Sequence, residues 1–220
     1  DKEITKKLLE AVNIKGAKYH CYRKHEQKKI KYNKIIRELG LPLVIKPSRA
    51  GSSVGLSKAD DEKQFFDAIE LAFRYDTKVI IEKYIKGREI ECAVLGNEEP
   101  IASITGEIIT EFYDYEAKYL SADKAKLQAP ALIDKNTENK IRDIAIKAYK
   151  ATECEGMSRI DFFLTPDEII LNEINTIPGF TDISMYPKLW EASGISVSKL
   201  LDRLIGLAIE RFEKEQKLKT

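Results

Sequence analysis

The sequence predicts an α+β fold, and three observations support it. Apolar strand-like runs come in pairs joined by short polar turns. Helical apolar stripes stand between those pairs, and regular βαβ alternation is missing. In chain order, residues 1–13 carry Ile4, Leu8, Leu9 and Val12 on one stripe of a helix. Residues 15–31 are Lys-rich and irregular, a solvated connection with room for one strand. Residues 32–39 read as a short helix closed by Gly40, with Pro42 just beyond. Leu43 to Pro47 is a strand, Arg49 to Gly55 a Gly/Ser loop, and a short strand follows near Val54–Ser57. Asp60 is the expected N-cap of a helix reaching Arg74, with Phe65, Phe66, Ile69 and Phe73 inward.

Strands are expected at Lys78–Ile85, Glu89–Leu95 and Ile101–Ile109, separated by turns at Lys86-Gly87 and Asn97-Glu98-Glu99. Residues 110–131 show no period; a loop of that length is usually functional or disordered. Residues 137–152 form a helix with Ile141, Ile144, Ala145 and Ala148 inward. Met157–Leu164 and Glu168–Asn175 make a hairpin around Thr165-Pro166-Asp167. Residues 176–195 read as irregular around Pro178, Gly179 and Pro187. The last helix starts at Ser196, with Val197, Leu200, Leu201, Leu204, Ile205, Ala208, Ile209 and Phe212 as its stripe. The Lys86-Gly87 turn divides a smaller lobe, 1–86, from a larger one, 87–220.

Composition narrows the function. The chain has 220 residues, 43% of them hydrophobic, enough for one large or two small cores. Net charge is +1, from 37 basic and 36 acidic residues, which argues against a nucleic-acid surface or a polybasic membrane anchor. No apolar run approaches a membrane span. Cys21, Cys92 and Cys154 are few and irregularly spaced, as expected of reduced thiols in a cytoplasmic protein. His20 and His25 lack Cys or His partners at metal-ligand spacing, which argues against a zinc site. The start at Asp1-Lys2-Glu3, without Met or signal peptide, reads as a piece of a longer polypeptide.

Four segments carry candidate chemistry. In the hairpin, alternation puts Arg159 and Asp161 on one strand face and Glu173 and Asn175 on the other strand's face. If the register allows, these four share one side, an oxygen-rich set suited to Mg²⁺; the alternative is a solvated charged face. Lys46 ends an apolar strand and precedes Pro47-Ser48-Arg49-Ala50-Gly51-Ser52-Ser53-Val54-Gly55. Glycines let backbone N–H groups close on a phosphate, and Lys46 would add a point charge; the alternative is an ordinary turn. Glu82 and Glu89 flank the Lys86-Gly87 turn, where carboxylates can accept from an adenine amino group and a ribose hydroxyl, or stand as surface residues. Aromatics interleaved with charges at Glu111–Tyr119 suit either a lid or a self-packed Ω-loop.

Taken together, these segments resemble the D-alanine–D-alanine ligases of the ATP-grasp superfamily. The likeness rests on Asp1-Lys2 with Thr5-Lys6, Ile45-Lys46-Pro47-Ser48, Gly51-Ser52-Ser53-Val54-Gly55, Glu82-Lys83-Tyr84 and Gly87-Arg88-Glu89. It continues through Glu111-Phe112-Tyr113-Asp114-Tyr115, Lys118-Tyr119, Arg159-Ile160-Asp161, Asn172-Glu173-Ile174-Asn175-Thr176 and Pro178-Gly179 with Thr181, Ser184 and Pro187. The resemblance implies an ATP-grasp fold of two α+β lobes with ATP between them, and D-alanine ligation through an acyl phosphate for peptidoglycan precursor synthesis. It implies that Lys2, Lys46 and Ser53 contact the phosphates, that Glu82 with the backbone of Tyr84 and Ile85 holds adenine, and that Glu89 holds ribose. Asp161, Glu173 and Asn175 would hold two Mg²⁺ ions, with Mn²⁺ an acceptable substitute. Arg159 would stabilise the oxyanion, Lys118 the transferred phosphoryl group, and Ser52 with Tyr119 a network at the substrate. Ser184 and Met185 would bind the second D-alanine's carboxylate. The family's N-terminal domain, which holds the first D-alanine's ammonium, has no counterpart here. A homodimer stays open, as do two alternatives: a nucleotide-binding module without turnover, or another ATP-grasp carboxylate–amine ligase.

Overall fold

The computed structural model describes residues 1–110 and 125–218. Two compact units divide the chain. The first comprises Asp1–Glu10 and Lys15–Lys86; the second comprises Ala11–Ile14, Gly87–Ile109 and the described residues from Ala125 on.

The first unit is a four-stranded sheet with helices. Its elements are α1 (Lys2–Ala11), β1 (Tyr19–Arg23), a 3-10 turn (Lys24–Lys29), α2 (Tyr32–Leu39), β2 (Leu43–Pro47), β3 (Ser57–Ala59), α3 (Glu62–Tyr75) and β4 (Lys78–Lys83). The strand order is β1-β4-β2-β3, all pairs antiparallel. Pro47 is tolerated in inner strand β2 because β3 pairs only with Leu43 to Ile45, so no bond is asked of its missing N–H on that side. Leu43, Ile45, Val79 and Ile81 meet Phe65, Ala68, Ile69, Ala72 and Phe73 of α3, with Ile35 and Leu39 of α2, in one buried core.

Several expectations are corrected in this unit. The strand expected near Val54–Ser57 lies at Ser57–Ala59, because Gly51 to Gly55 are spent on turns. The helix cap is Asp61, whose carboxylate accepts from the Gln64 N–H at 2.8 Å; Asp60 sits one residue too early for that reach. Phe66 is exposed: it follows Phe65 by about 100° around the helix, so only one of the two can face the sheet. In α1, Leu9 is buried together with Lys6, whereas Ile4 and Leu8 are exposed. The Lys-rich segment holds β1 and the 3-10 turn.

Asp76 ties the Gly/Ser loop to the end of α3. Its carboxylate accepts from the Arg49 N–H at 2.8 Å, from Arg49 Nε at 3.1 Å and from the Lys78 N–H at 3.1 Å. Burial alone would raise its pKa; the Arg49 guanidinium and the backbone N–H groups of Lys78 and Arg49 outweigh that and hold it at about 2, below the ordinary 3.8. A depressed carboxylate stabilises the fold fully above its unfolded pKa and loses that contribution as pH falls through the folded one. Asp76→Asn should therefore lower stability at neutral pH by about 1–2 kcal/mol, a figure reduced for the exposure of Arg49. The gap to wild type should close between about pH 4 and pH 2. Urea titrations across that range give the answer; a gap independent of pH would discount the ionised carboxylate.

The second unit is a five-stranded sheet with three helices. Its elements are β5 (Arg88–Gly96), β6 (Ile101–Thr110), β7 (Ala125–Gln128), α4 (Lys135–Ala151), β8 (Gly156–Leu164), β9 (Ile169–Asn175), α5 (Met185–Ala192) and α6 (Val197–Gln216), and the strand order is β7-β6-β5-β8-β9. The pairs from β6 through β5 and β8 to β9 are antiparallel. Asp134 and Ser196 cap α4 and α6, accepting from Thr137 and Lys199 N–H groups. Ala93, Leu95, Met185, Tyr186, Leu189, Trp190 and Leu200 form its buried core. Gly106 admits α5 against β6, since a Cβ there would stand 2.8 Å from Met185 Sδ.

Three differences from expectation stand out here. Residues 176–195 are not irregular throughout: α5 begins at Met185, and Pro187 fits its first turn, where a backbone N–H has no helical partner. β7 lies inside the stretch where no period was legible. The stripe of α6 is only partly inward. Leu200 is buried, with Leu204 and Leu207 packed on the core at i, i+4 and i+7, while Leu201, Ile205, Ile209 and Phe212 are exposed. Apolar residues occupy more of this helix's circumference than one contact face can cover.

Candidate functional site

The hairpin register answers the question the sequence left open. β8 and β9 pair with Asp161 opposite Glu173 and Arg159 opposite Asn175. Between Asp161 and Phe162 the register shifts, leaving Asn172 as the extra residue of a bulge. The bulge keeps Leu171 opposite Phe162 while Glu173 stays beside Asp161. All four predicted residues therefore share one face. On the other side β5 sets Glu91 opposite Asp161 and Glu89 opposite Phe163. One end of this sheet face is thus charged, whereas Ala93 and Leu95 at the other end lie under α5 and α6.

Arg159 organises the charged end. Its Nε donates to Asp161 Oδ1 and its Nη2 to Asp161 Oδ2, each at 2.8 Å. Nε also lies 3.2 Å from Glu91 Oε2, and Asn175 Nδ2 donates to Asp161 Oδ2 at 2.9 Å. Burial works against the Arg159 charge, yet Asp161, Glu91 and Glu173 together hold its pKa above the ordinary value. Burial raises the Asp161 pKa, as does Glu173, against the opposing pull of Arg159 and Asn175. Two carboxylates this close favour a cation between them. Glu91, buried and facing Arg159, was not singled out from sequence; the alternation that relates Glu173 to Asn175 also relates Glu89 to Glu91.

The donor set fits Mg²⁺ in chemistry. Asp161, Glu173 and Asn175 offer hard oxygen ligands on one face, with the Asn175 amide needing to turn its oxygen inward. Among the described residues no group of three His, Cys, Asp or Glu side chains is arranged for a metal. Two carboxylates and an amide are an incomplete shell, of the kind that substrate phosphates fill.

Ser184 and Met185 stand at the start of α5. Ser184 Oγ accepts from the Thr181 N–H at 3.0 Å and lies 2.9 Å from Thr181 Oγ1. A Cβ on Gly179 would come within 2.8 Å of Ser184 Oγ, so this close approach requires glycine. Free N–H groups of a helix's first turn attract a carboxylate.

In the first unit, Lys46 and Glu82 are brought together. Glu82 on β4 is opposite Val44, two residues from Lys46 on the same face of β2. Lys46 Nζ lies 2.7 Å from Glu82 Oε2, with side chains 7% and 5% exposed. A surface role for Glu82 is excluded. Burial would raise its pKa, but Lys46 and Lys6 overcome that and hold it below the ordinary value. Lys6, part of the Thr5-Lys6 pair in the resemblance but given no role there, sits 2.9 Å from Glu82 Oε1. A Lys between apolar positions of a stripe is the signal that could have found it.

The Gly/Ser loop is pinned at its base. The Lys2 N–H donates to Ser48 O at 2.9 Å, and Lys2 Nζ to Ala50 O at 2.6 Å. Ser52 and Ser53 adopt φ of 46° and 57°. Left-handed backbone at a non-glycine costs about 1–2 kcal/mol, and such strain collects at functional loops. At Gly55, with φ of 72°, a Cβ would meet Tyr75 Cδ2 at 2.5 Å. Tyr84 and Ile85 follow β4, half-buried, and the Tyr84 N–H donates to Pro42 O at 3.2 Å. Lys118 and Tyr119 lie outside the described residues.

Comparison with known proteins identifies the family. Residues 8–206 match the family described as D-ala D-ala ligase C-terminus. The chain is similar to the D-alanine–D-alanine ligase of Oceanobacillus iheyensis, at 52% identity over 223 residues, covering 100% of this chain and 61% of that protein. It thus spans about three fifths of that relative's length. The solved D-alanine–D-alanine ligase of Coxiella burnetii superposes with a TM-score of 0.86 at 41% identity, over 98% of this chain and 59% of that one. The Bacillus anthracis ligase complexed with ATP gives 0.82 at 27% identity, over 98% of this chain and 67% of that one. In sequence and in backbone, the chain belongs to the D-Ala–D-Ala ligase C-terminal family and has the α+β fold of its ATP-grasp portion.

Proposed function

We propose that this chain is the nucleotide-binding and phosphoryl-transfer portion of an ATP-dependent D-alanine–D-alanine ligase, a cytoplasmic enzyme of peptidoglycan precursor synthesis. The observation that carries the reading is the single face shared by Asp161, Glu173, Asn175 and Arg159. A carboxylate is a poor electrophile; phosphorylation by ATP makes it an acyl phosphate that an amine can attack. Such transfer depends on positioning and charge neutralisation.

In this reading Asp161, Glu173 and Asn175 hold two Mg²⁺ ions, which neutralise charge on the triphosphate. Arg159 is kept cationic and aimed by its carboxylate partners, and steadies negative charge on the acyl oxygen. Lys46, Lys2 and the Ser52–Ser53 turn contact phosphates. Glu82, buried beside Lys46 and Lys6, takes the adenine amino group, and Glu89 the ribose. Ser184 and the Met185 N–H receive the second D-alanine's carboxylate. Lys118 is proposed to meet the transferred phosphoryl group, and Tyr119 to share with Ser52 a hydrogen-bond network in the substrate site.

Calorimetry on this chain tests the reading. ATP with Mg²⁺ should bind at least about tenfold more tightly than ATP with EDTA, as expected when phosphates complete a metal shell. Mg²⁺ alone should give no measurable heat. Tight Mg²⁺ binding without nucleotide, or ATP affinity indifferent to Mg²⁺, would sink it.

A further inference from the structure

Two ammonium groups converge on one buried carboxylate in the first unit. Lys6 Nζ and Lys46 Nζ stand 2.9 Å and 2.7 Å from opposite oxygens of Glu82, and the three side chains are 5–7% exposed. The trio carries an excess of one positive charge. Burying an unmatched charge is unfavourable, and a well-packed one-to-one pair would serve stability better. Lys6 is nevertheless held firmly. Its Nζ also donates to Ala17 O at 3.4 Å and lies 5.5 Å from the centre of the Tyr19 ring, a cation–π contact. Lys46 differs: it stands at the end of β2, beside the Gly/Ser loop, and among the described residues Glu82 is its one ion-pair partner.

We propose that Lys6 is a positioning residue that acts as the standing counter-ion of Glu82, leaving Lys46 available to an incoming polyphosphate. The inference rests on the nucleotide reading above. Were Lys46 the sole partner, its move to a phosphate would strand Glu82 buried and uncompensated, so Glu82 would retain it. With Lys6 in place the carboxylate stays paired throughout, and the surplus charge is matched when the polyanion arrives. Apparent affinity for a polyphosphate falls in proportion to the fraction of molecules in which Lys46 is captive. A nucleoside without phosphates makes no demand on Lys46 and is spared that penalty.

The test is Lys6→Met, with ATP and adenosine titrated separately into wild type and variant. ATP affinity is expected to fall by about tenfold or more and adenosine affinity by less than about threefold. Lys6→Arg, which keeps the charge, should restore the ATP-to-adenosine ratio to within about threefold of wild type. The ligand-free melting temperature of Lys6→Met should be unchanged or higher, because the surplus buried charge is gone. Should Lys6→Met fail to fold, Lys6→Gln removes the charge with a polar side chain and answers the same question. Equal losses for both ligands, or no loss for either, would overturn the proposal while leaving the nucleotide reading intact. Wild type that binds no ATP would overturn that reading, and this proposal with it.

Discussion

Glu173→Gln should reduce D-alanine-dependent ADP release in the complete ligase by about 10³-fold, the scale of several kcal/mol of lost charge stabilisation. Gln keeps the shape and one oxygen of Glu but removes a full negative charge. Glu173 lies directly across from Asp161, whose own charge is already shared with Arg159 and Asn175. Without Glu173 the guanidinium neutralises most of what remains, and a divalent cation loses its reason to settle there. The substitution should leave the first unit untouched, so ATP measured with EDTA should bind as in wild type. ATP with Mg²⁺ should fall to nearly that level. A variant with full turnover would remove Glu173 from the metal shell. One that loses EDTA–ATP binding as well would point to disturbed folding instead.

Glu82→Gln should destabilise the chain by about 3–5 kcal/mol, the cost of leaving buried charges without their partner. Two ammonium groups would remain near a neutral amide, with Ala17 O and the Tyr19 ring the compensation left to Lys6. The pH dependence has a definite sign. The native carboxylate is depressed below its ordinary 4.5, so its contribution is complete above that pH and is lost as pH falls through the lower, folded value. The difference between wild type and variant should accordingly be full at pH 7 and shrink in acid. Denaturant unfolding at pH 7 and pH 3 measures both points. A penalty under about 1 kcal/mol at neutral pH would mean that the trio is solvated in solution.

Local pattern made much of this chain legible. The helices α2, α3, α4 and α6 announce themselves by stripe and cap, and the hairpin of β8 and β9 by its turn and by alternation. The acidic face followed from the same period of two, which is a property of any strand. Where the reading failed, neighbours made the choice. Phe65 and Phe66 are chemically equivalent in sequence, and the sheet accepts one of them. α5 is short and carries Pro187, so its pattern is weak; packing of Tyr186, Leu189 and Trp190 on Ala93 and Leu95 stabilises it.

The sequence by itself determined the α+β class, the order of most elements, the Gly/Ser loop and the four polar residues of the hairpin face, because these depend on spacing within a few residues. Tertiary structure decided which charges meet. The register of β8 against β9, set with a bulge at Asn172, puts Asp161 beside Glu173. The pairing of β5 with β8 brings in Glu91, and the placement of α1 delivers Lys6 to Glu82. Contacts between residues far apart in the chain depend on which surfaces bury best against one another, and no local period records that choice.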